Sequence, residues 1–148
     1  MTLTSDQTIY TELSKILWSL MEENDYSITL TGQLYLECQD FRLFSQDQQG
    51  REVKYIEMTS ELFLQLIQLM EELQKSPVFA SEAWSQFQAR LNNQGQFKIE
   101  FAYIDEKDSW PNLYMKGISD LTKDEAEHVY YVPKEIWEER VRLKNQAF

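Results

Sequence analysis

Cysteine and histidine are almost absent from this chain, which has only Cys38 and His128 among its 148 residues. A lone cysteine excludes an internal disulfide, so the sequence gives no sign of an oxidising compartment. One cysteine and one histidine are also too few for a clustered zinc site. Cys38 falls in an alternating apolar pattern, which predicts a small core residue. We therefore expect no disulfide, no metal and no cofactor.

Glycine and long apolar runs are also scarce. The chain has four glycines, too widely spaced for a phosphate-binding loop: Gly32, Gly50, Gly95 and Gly117. No segment approaches the roughly 20 consecutive apolar residues that span a bilayer. The first residues lack the basic and apolar regions of a signal peptide. We expect a cytoplasmic protein that does not bind membranes.

Basic residues are also few. The chain has 14 Lys and Arg against 25 Asp and Glu, which gives a formal net charge of -11. A field of this sign repels nucleic acid and favours encounter with basic partners. Acidity can also serve solubility alone, and composition leaves both alternatives open. The 43% hydrophobic residues suffice for a core. We expect one domain over residues 1–148, as a monomer or weak homodimer.

Residues 83–105 have the clearest pattern in the chain, two alternating runs on either side of Gly95. Their apolar residues share one parity, which predicts an antiparallel hairpin with one apolar face. The expected pairs are Leu91 with Phe97, Ala89 with Ile99, and Phe87 with Phe101. A type I turn ending in a left-handed glycine suits the connection. The other face is expected to be solvated and carries Gln86, Gln88, Arg90, Lys98 and Glu100.

The residues before this hairpin predict a helix, three strands and a second helix. Helical periodicity covers residues 6–23, and alternation follows over residues 26–39 with a bulge or bend at Gly32. A tight turn at Gln39 and Asp40 would place Phe41 opposite Cys38 and Leu43 opposite Leu36. Residues 47–51 form the next turn, and residues 53–58 the third strand. Thr59 or Ser60 then caps an amphipathic helix that ends at residues 75–77.

The residues after the hairpin are less regular. Thr122 caps a short helix over residues 123–128, although residues 129–132 fit a strand equally well. Pro133 suits the first position of a final helix. The predicted fold class is α+β: an antiparallel sheet of about five strands with helices packed on one face, in the order α-βββ-α-ββ-α.

Catalytic patterns are weak. His128 lies near three carboxylates, but a solvated charged helix explains this cluster, whose acids are Asp124, Glu125 and Glu127. The carboxylates of residues 105–108 lack the alternating ligands and the glycine of a calcium loop. We expect a protein that is not an enzyme. A small enzyme using His128 remains the alternative, which His128→Ala would test.

Recognition of a partner fits the remaining features better. Two acidic segments, residues 105–108 and 120–127, bracket Trp and Tyr residues. Aromatic anchors surrounded by carboxylates suit the capture of a basic protein surface. In the alternative, the aromatic residues fill the core and the acids are merely solvated. The candidate partner-binding residues are Asp105, Glu106, Asp108, Trp110, Asp120, Asp124, Glu125 and Glu127.

The order of elements and the hairpin motif resemble the YezG and EsaG antitoxin family. The resemblance covers roughly residues 8–105 and is most specific in the hairpin. There the chain has a Trp-led strand, a glycine turn, and a second strand that ends in Tyr-x-Asp. These features are Trp84, Gly95, residues 97–99, Tyr103 and Asp105.

This resemblance implies an immunity protein that binds and blocks the nuclease domain of a secreted toxin. Such a nuclease is typically basic, and an acidic inhibitor would compete for its phosphate-binding surface. The alternative is an acidic adaptor or DNA mimic that binds another basic protein. Neither function requires nucleic acid or a membrane as a partner.

Overall fold

The computed structural model describes residues 5–146 and contains a five-stranded antiparallel sheet with three α-helices. The strands lie in the order β3-β2-β1-β4-β5. This arrangement confirms the α+β class and the order α-βββ-α-ββ-α. The elements are α1 (Ser5–Leu20), β1 (Ser27–Leu34), β2 (Gln39–Gln46), β3 (Glu52–Tyr55), α2 (Ser60–Gln74), β4 (Gln86–Asn92), β5 (Phe97–Ala102) and α3 (Lys134–Asn145).

The β4–β5 hairpin has the register that parity predicts. Its pairs include Phe87 with Phe101, Ala89 with Ile99, and Leu91 with Phe97. Gly95 has φ +80°, and its amide donates to the carbonyl of Asn92 at 3.0 Å. The left-handed turn and the pairing are thus confirmed.

The predicted β1–β2 turn is wrong by several residues. The turn lies at residues 35–38, where the amide of Tyr35 donates to the carbonyl of Cys38 at 2.9 Å. Gln39 Nε2 stabilises it by donating to the carbonyls of Tyr35 and Leu36. Leu36 is consequently 94% exposed, and Cys38 is exposed rather than in the core.

Gly32 explains the observed register. It pairs with Phe41 on one side and Phe87 on the other, without a bulge. The two phenyl rings meet edge to face with centroids 5.3 Å apart. A Cβ on Gly32 would lie 2.4 Å from Phe41 and 2.7 Å from Phe87. The missing side chain therefore makes room for an aromatic pair that the predicted register would separate.

The first two helices pack together and cover the apolar face of the sheet. Thr59 caps α2 as expected, because its side chain accepts a hydrogen bond from the amide of Leu62. Helix α1 ends at Leu20, before the predicted residue 23, and Asp25 Oδ2 accepts from the amide of Glu22 just beyond it. The largest fully buried side chains of this core include Trp84, Phe87, Leu13, Leu17, Ile28, Leu30, Leu43, Leu66 and Met70.

The opposite, polar face of the sheet is partly covered by residues that follow β5. Gln33 Nε2 donates to the carbonyls of Trp110 and Leu113 at 2.8 and 2.6 Å. The amide of Met115 donates to Gln86 Oε1 at 2.7 Å, so Gln86 is fully buried instead of solvated. The prediction that this whole face is wet is therefore wrong at one end, where the chain returns across it.

Candidate partner-binding surface

All eight candidate residues lie in the C-terminal segment, which we define as residues 105–145. A small hydrophobic cluster of its own holds this segment together, and its members are Leu113, Ile118, Leu121, Ala126 and Val132. Two indoles fix its turns: Trp110 Nε1 donates to the carbonyl of Tyr130 at 2.8 Å, and Trp137 Nε1 to that of Leu121 at 2.9 Å. Trp110 is thus a half-buried structural residue.

The segment is also tied to the sheet by Tyr114. Its hydroxyl donates to Asp40 Oδ2 at 2.7 Å. Burial, reinforced by this hydrogen bond and the charge of Asp40, raises the pKa of Tyr114 far above its ordinary value. The phenol therefore stays protonated and can donate to Asp40.

Asp108 faces inward. Its carboxylate accepts from the Ser119 amide at 3.0 Å and the Ser119 hydroxyl at 2.7 Å, and Arg140 Nε lies 3.2 Å away. The side chains of Asp108 and Arg140 are only 13% and 20% exposed. A Cβ on Gly117 would lie 2.0 Å from Asp108 Oδ2, so the glycine leaves space for the carboxylate. Asp108 thus joins the first turn of the segment to α3.

Asp120 and Glu125 also have partners within the chain. Burial raises the pKa of Asp120, but hydrogen bonds from Lys144 Nζ and the Gly117 amide outweigh it, so the pKa lies below its usual value. Glu125 and Thr122 exchange hydrogen bonds at 2.9 and 3.1 Å, as in a capping box. The hydrogen bond from the Thr122 amide is the largest cause that lowers the pKa of Glu125. Both carboxylates stabilise turns of the segment.

The remaining four candidates project into solvent. Asp105 and Glu106 are exposed, and neither forms an ion pair with any residue of 5–146. The side chains of Asp124 and Glu127 are 85% and 64% exposed and lie 3.7 and 3.8 Å from His128 Nε2. Asp105 Oδ1 also accepts a hydrogen bond from the Lys107 amide at 2.8 Å, so this residue caps the first turn while facing solvent. These four, Asp105, Glu106, Asp124 and Glu127, are the candidates exposed enough to meet a partner.

Of the two alternatives for residues 122–132, the helix that begins after Thr122 is correct, and the Thr122 hydroxyl accepts from the Glu125 amide as expected. The sequence does not predict the exposed tyrosine after this helix. A π-helical turn, Glu125–Val129, replaces the strand alternative for residues 129–132. Tyr131 follows it with φ 55°, and its side chain is 76% exposed. The amide of Val132 donates to the carbonyl of Ala126 at 2.7 Å, which closes the turn. Bulky Val and Tyr residues suggested a strand here, and sequence alone carries no signal for a tyrosine where helices usually place glycine.

Other kinds of site find no support in the described part of the chain. No group of three or more His, Cys, Asp or Glu side chains within residues 5–146 is arranged to hold a metal ion. None of the helices within those residues is long and apolar enough to cross a membrane.

Similarity to known proteins tests the family resemblance noted in the sequence. No curated protein matches the sequence. The model of a family described as "Immunity protein YezG-like" matches residues 7–119, which is more than half of the chain. The match includes most of α1, all of α2 and the whole sheet, and it ends before the π-helical turn and α3. The chain therefore belongs to the YezG-like immunity protein family.

Proposed function

We propose that this protein is a non-enzymatic antitoxin that binds a cognate nuclease toxin in the cytoplasm and occludes its active site. The observation that carries the proposal is the family match over residues 7–119. The formal net charge of -11 supports a basic target, because a nuclease must attract phosphates. An acidic inhibitor competes for that surface and associates quickly at low salt.

Within the C-terminal segment, the four exposed carboxylates are the ones we assign to steering. Asp105 and Glu106 lie at the first turn, and Asp124 and Glu127 on the π-helical turn. Asp108, Trp110, Asp120 and Glu125 serve recognition indirectly, because they hold these turns in place. The eight candidates therefore form two groups. Substitutions in the exposed group should change association with the toxin, and substitutions in the other group should lower the stability of the segment.

Inhibition is tested directly with the nuclease domain of a candidate cognate toxin. Cleavage of DNA and of RNA is measured with and without an equimolar amount of the protein, and the mixture is run on a size-exclusion column. We expect a stable complex and loss of cleavage. Undiminished cleavage with no complex would contradict the proposed function.

The steering role is tested by reversing the charges of exposed acids. Glu106→Lys with Glu127→Lys should slow association and flatten its salt dependence, since long-range attraction acts on the encounter rate. Glu12→Lys with Glu72→Lys changes the net charge equally but on the helical layer. If the two double variants had equal association rates in stopped-flow mixing, the steering role of the C-terminal segment would be contradicted.

A second candidate, an acidic adaptor that binds another basic protein, is favoured by the net charge alone. It predicts binding to host DNA-binding proteins and no protection against the toxin. Measuring both activities with one preparation separates the candidates.

A further inference from the structure

The polar face of the sheet is open where the C-terminal segment does not cover it. Strand register places one row of side chains across all five strands, from Tyr55 through Phe44, Thr29 and Arg90 to Lys98. Tyr55 is 55% exposed, and Lys98 is 74% exposed. We call this region the open sheet face and define it by Arg42, Phe44, Tyr55, Arg90, Lys98 and Glu100.

The aromatic side of the open sheet face holds an arginine in a fixed position. The Arg42 guanidinium lies 4.6 Å from the centroid of Phe44 and 5.9 Å from that of Tyr55. Its Nη2 also contacts the carboxylate of Glu52, which leaves the side chain 32% exposed. An arginine stacked on rings loses little further freedom when it binds, and Arg and Tyr are typical anchors of interfaces.

The other side contains an arginine without a counter-ion. Arg90 is exposed, and its Nε donates only to the Thr29 hydroxyl at 3.3 Å. Every other arginine in the chain lies within ion-pair distance of a carboxylate. Arg90 has none within residues 5–146, although acidic residues outnumber basic ones 25 to 14. Its guanidinium therefore keeps its capacity to bind a carboxylate bidentately.

The charge of this region differs from that of the rest of the chain. Arg42, Arg90 and Lys98 are matched here by Asp40, Glu52 and Glu100, so the region is close to neutral, whereas the whole protein has a formal net charge of -11. Arg42 pairs with Glu52, Lys98 pairs with Glu100, and Asp40 accepts from Tyr114, which leaves Arg90 as the cation of this face without a carboxylate partner among residues 5–146. Between the two sides, β1 contributes the short, buried side chains of Thr29 and Thr31. A shallow floor with aromatic and cationic margins fits a projecting acidic group of a partner.

We infer that the open sheet face binds a carboxylate-bearing surface of the toxin, an inference that rests on the proposed function. Arg90, which has no carboxylate partner in the described chain, would make this contact, with Arg42 held beside it by Glu52 and the two rings. Metal-dependent nucleases offer such a surface, because they hold divalent ions with carboxylates. The C-terminal segment lies on the same side of the sheet, where residues 110–115 contact Gln33 and Gln86. Its exposed acids then meet the surrounding basic rim of the toxin.

The test compares binding of the same toxin nuclease domain to wild type and to Arg90→Glu, Arg90→Lys and Lys15→Glu. We expect Arg90→Glu to weaken Kd at least about tenfold, mainly through faster dissociation. Arg90→Lys keeps the charge without the planar fork and should give an intermediate loss. Lys15→Glu is the matched control, since it makes the same charge change on α1, and should change Kd less than about twofold. Circular dichroism verifies that each variant folds.

Three outcomes overturn the inference in different ways. Wild-type binding with an unchanged Arg90→Glu affinity contradicts it and leaves the proposed function intact. Absence of both binding and inhibition by the wild type refutes the proposed function and the inference with it. A wild-type dimer in sedimentation that Arg90→Glu converts to a monomer would assign this face to a second copy of the chain.

Discussion

Asp108 faces inward, whereas we assign the exposed acids of the same segment to binding. Substituting Asp108 should therefore affect stability, and substituting an exposed acid should not. Truncation in Asp108→Ala removes the acceptor for the Ser119 amide and hydroxyl and the counter-ion of Arg140. Since the Arg140 side chain is only 20% exposed, water replaces the lost partner poorly. We expect the variant to lose stability rather than specific contacts with the toxin.

The expected loss follows from the surroundings of the carboxylate. Removing one partner of a buried ion pair costs roughly 3–5 kcal/mol. Asp108 and Arg140 retain some exposure, so the lower end of this range applies, about 3 kcal/mol. Asp108→Asn keeps one oxygen acceptor for Ser119 but loses the charge, and about half of that loss is expected.

Urea unfolding followed by circular dichroism and by tryptophan fluorescence measures these differences. Glu106→Ala is the matched control, because its side chain is exposed and without an ion pair, and a change within about 0.5 kcal/mol is expected. If Asp108→Ala cost no more than Glu106→Ala, the structural role of Asp108 would be refuted. Hydrogen exchange in α3 detects a loss confined to the C-terminal segment.

Three further predictions concern stability. Gly32→Ala should cost about 1–3 kcal/mol in urea unfolding, because its Cβ overlaps the rings of Phe41 and Phe87; an unchanged midpoint would contradict this packing. Tyr131→Gly should raise the unfolding free energy by about 1 kcal/mol, since glycine adopts the left-handed φ of 55° without strain; a lower melting temperature would contradict it. The pKa of Asp120 is lowered from 3.8, so its stabilising contribution is complete above that pH and is lost as the pH falls through the lower folded-state pKa. Wild type should therefore lose more stability than Asp120→Asn between about pH 5 and 2, and parallel urea titrations would refute the ion pair.

Local chemistry in the sequence determined a large part of this fold. The β4–β5 register follows from parity because a short hairpin leaves few alternatives once one face is apolar and Gly95 supplies the turn. Thr59 marks the start of α2 because a side-chain oxygen must satisfy a free helical amide. The family resemblance rests on these same local features, and the match to residues 7–119 confirms it.

Tertiary contacts decided what parity could not. The alternating pattern continues through Leu36 and Cys38, so it cannot locate the β1–β2 turn. The position of the turn is instead set by Gly32, which leaves space for the rings of Phe41 and Phe87. Burial of Gln86 depends on a backbone amide 29 residues later in the chain.

The candidate surface divides in the same way between sequence and structure. Composition alone indicates an acidic protein. It does not show whether a given acidic residue faces water or pairs with an arginine in the fold. Only the folded chain separates Asp108, held by Ser119 and Arg140, from the solvated Glu106 two residues earlier. Likewise, Arg90 is one arginine among several until strand pairing places it on an open face without a carboxylate beside it. Residue types follow from sequence, whereas their partners depend on contacts between distant segments.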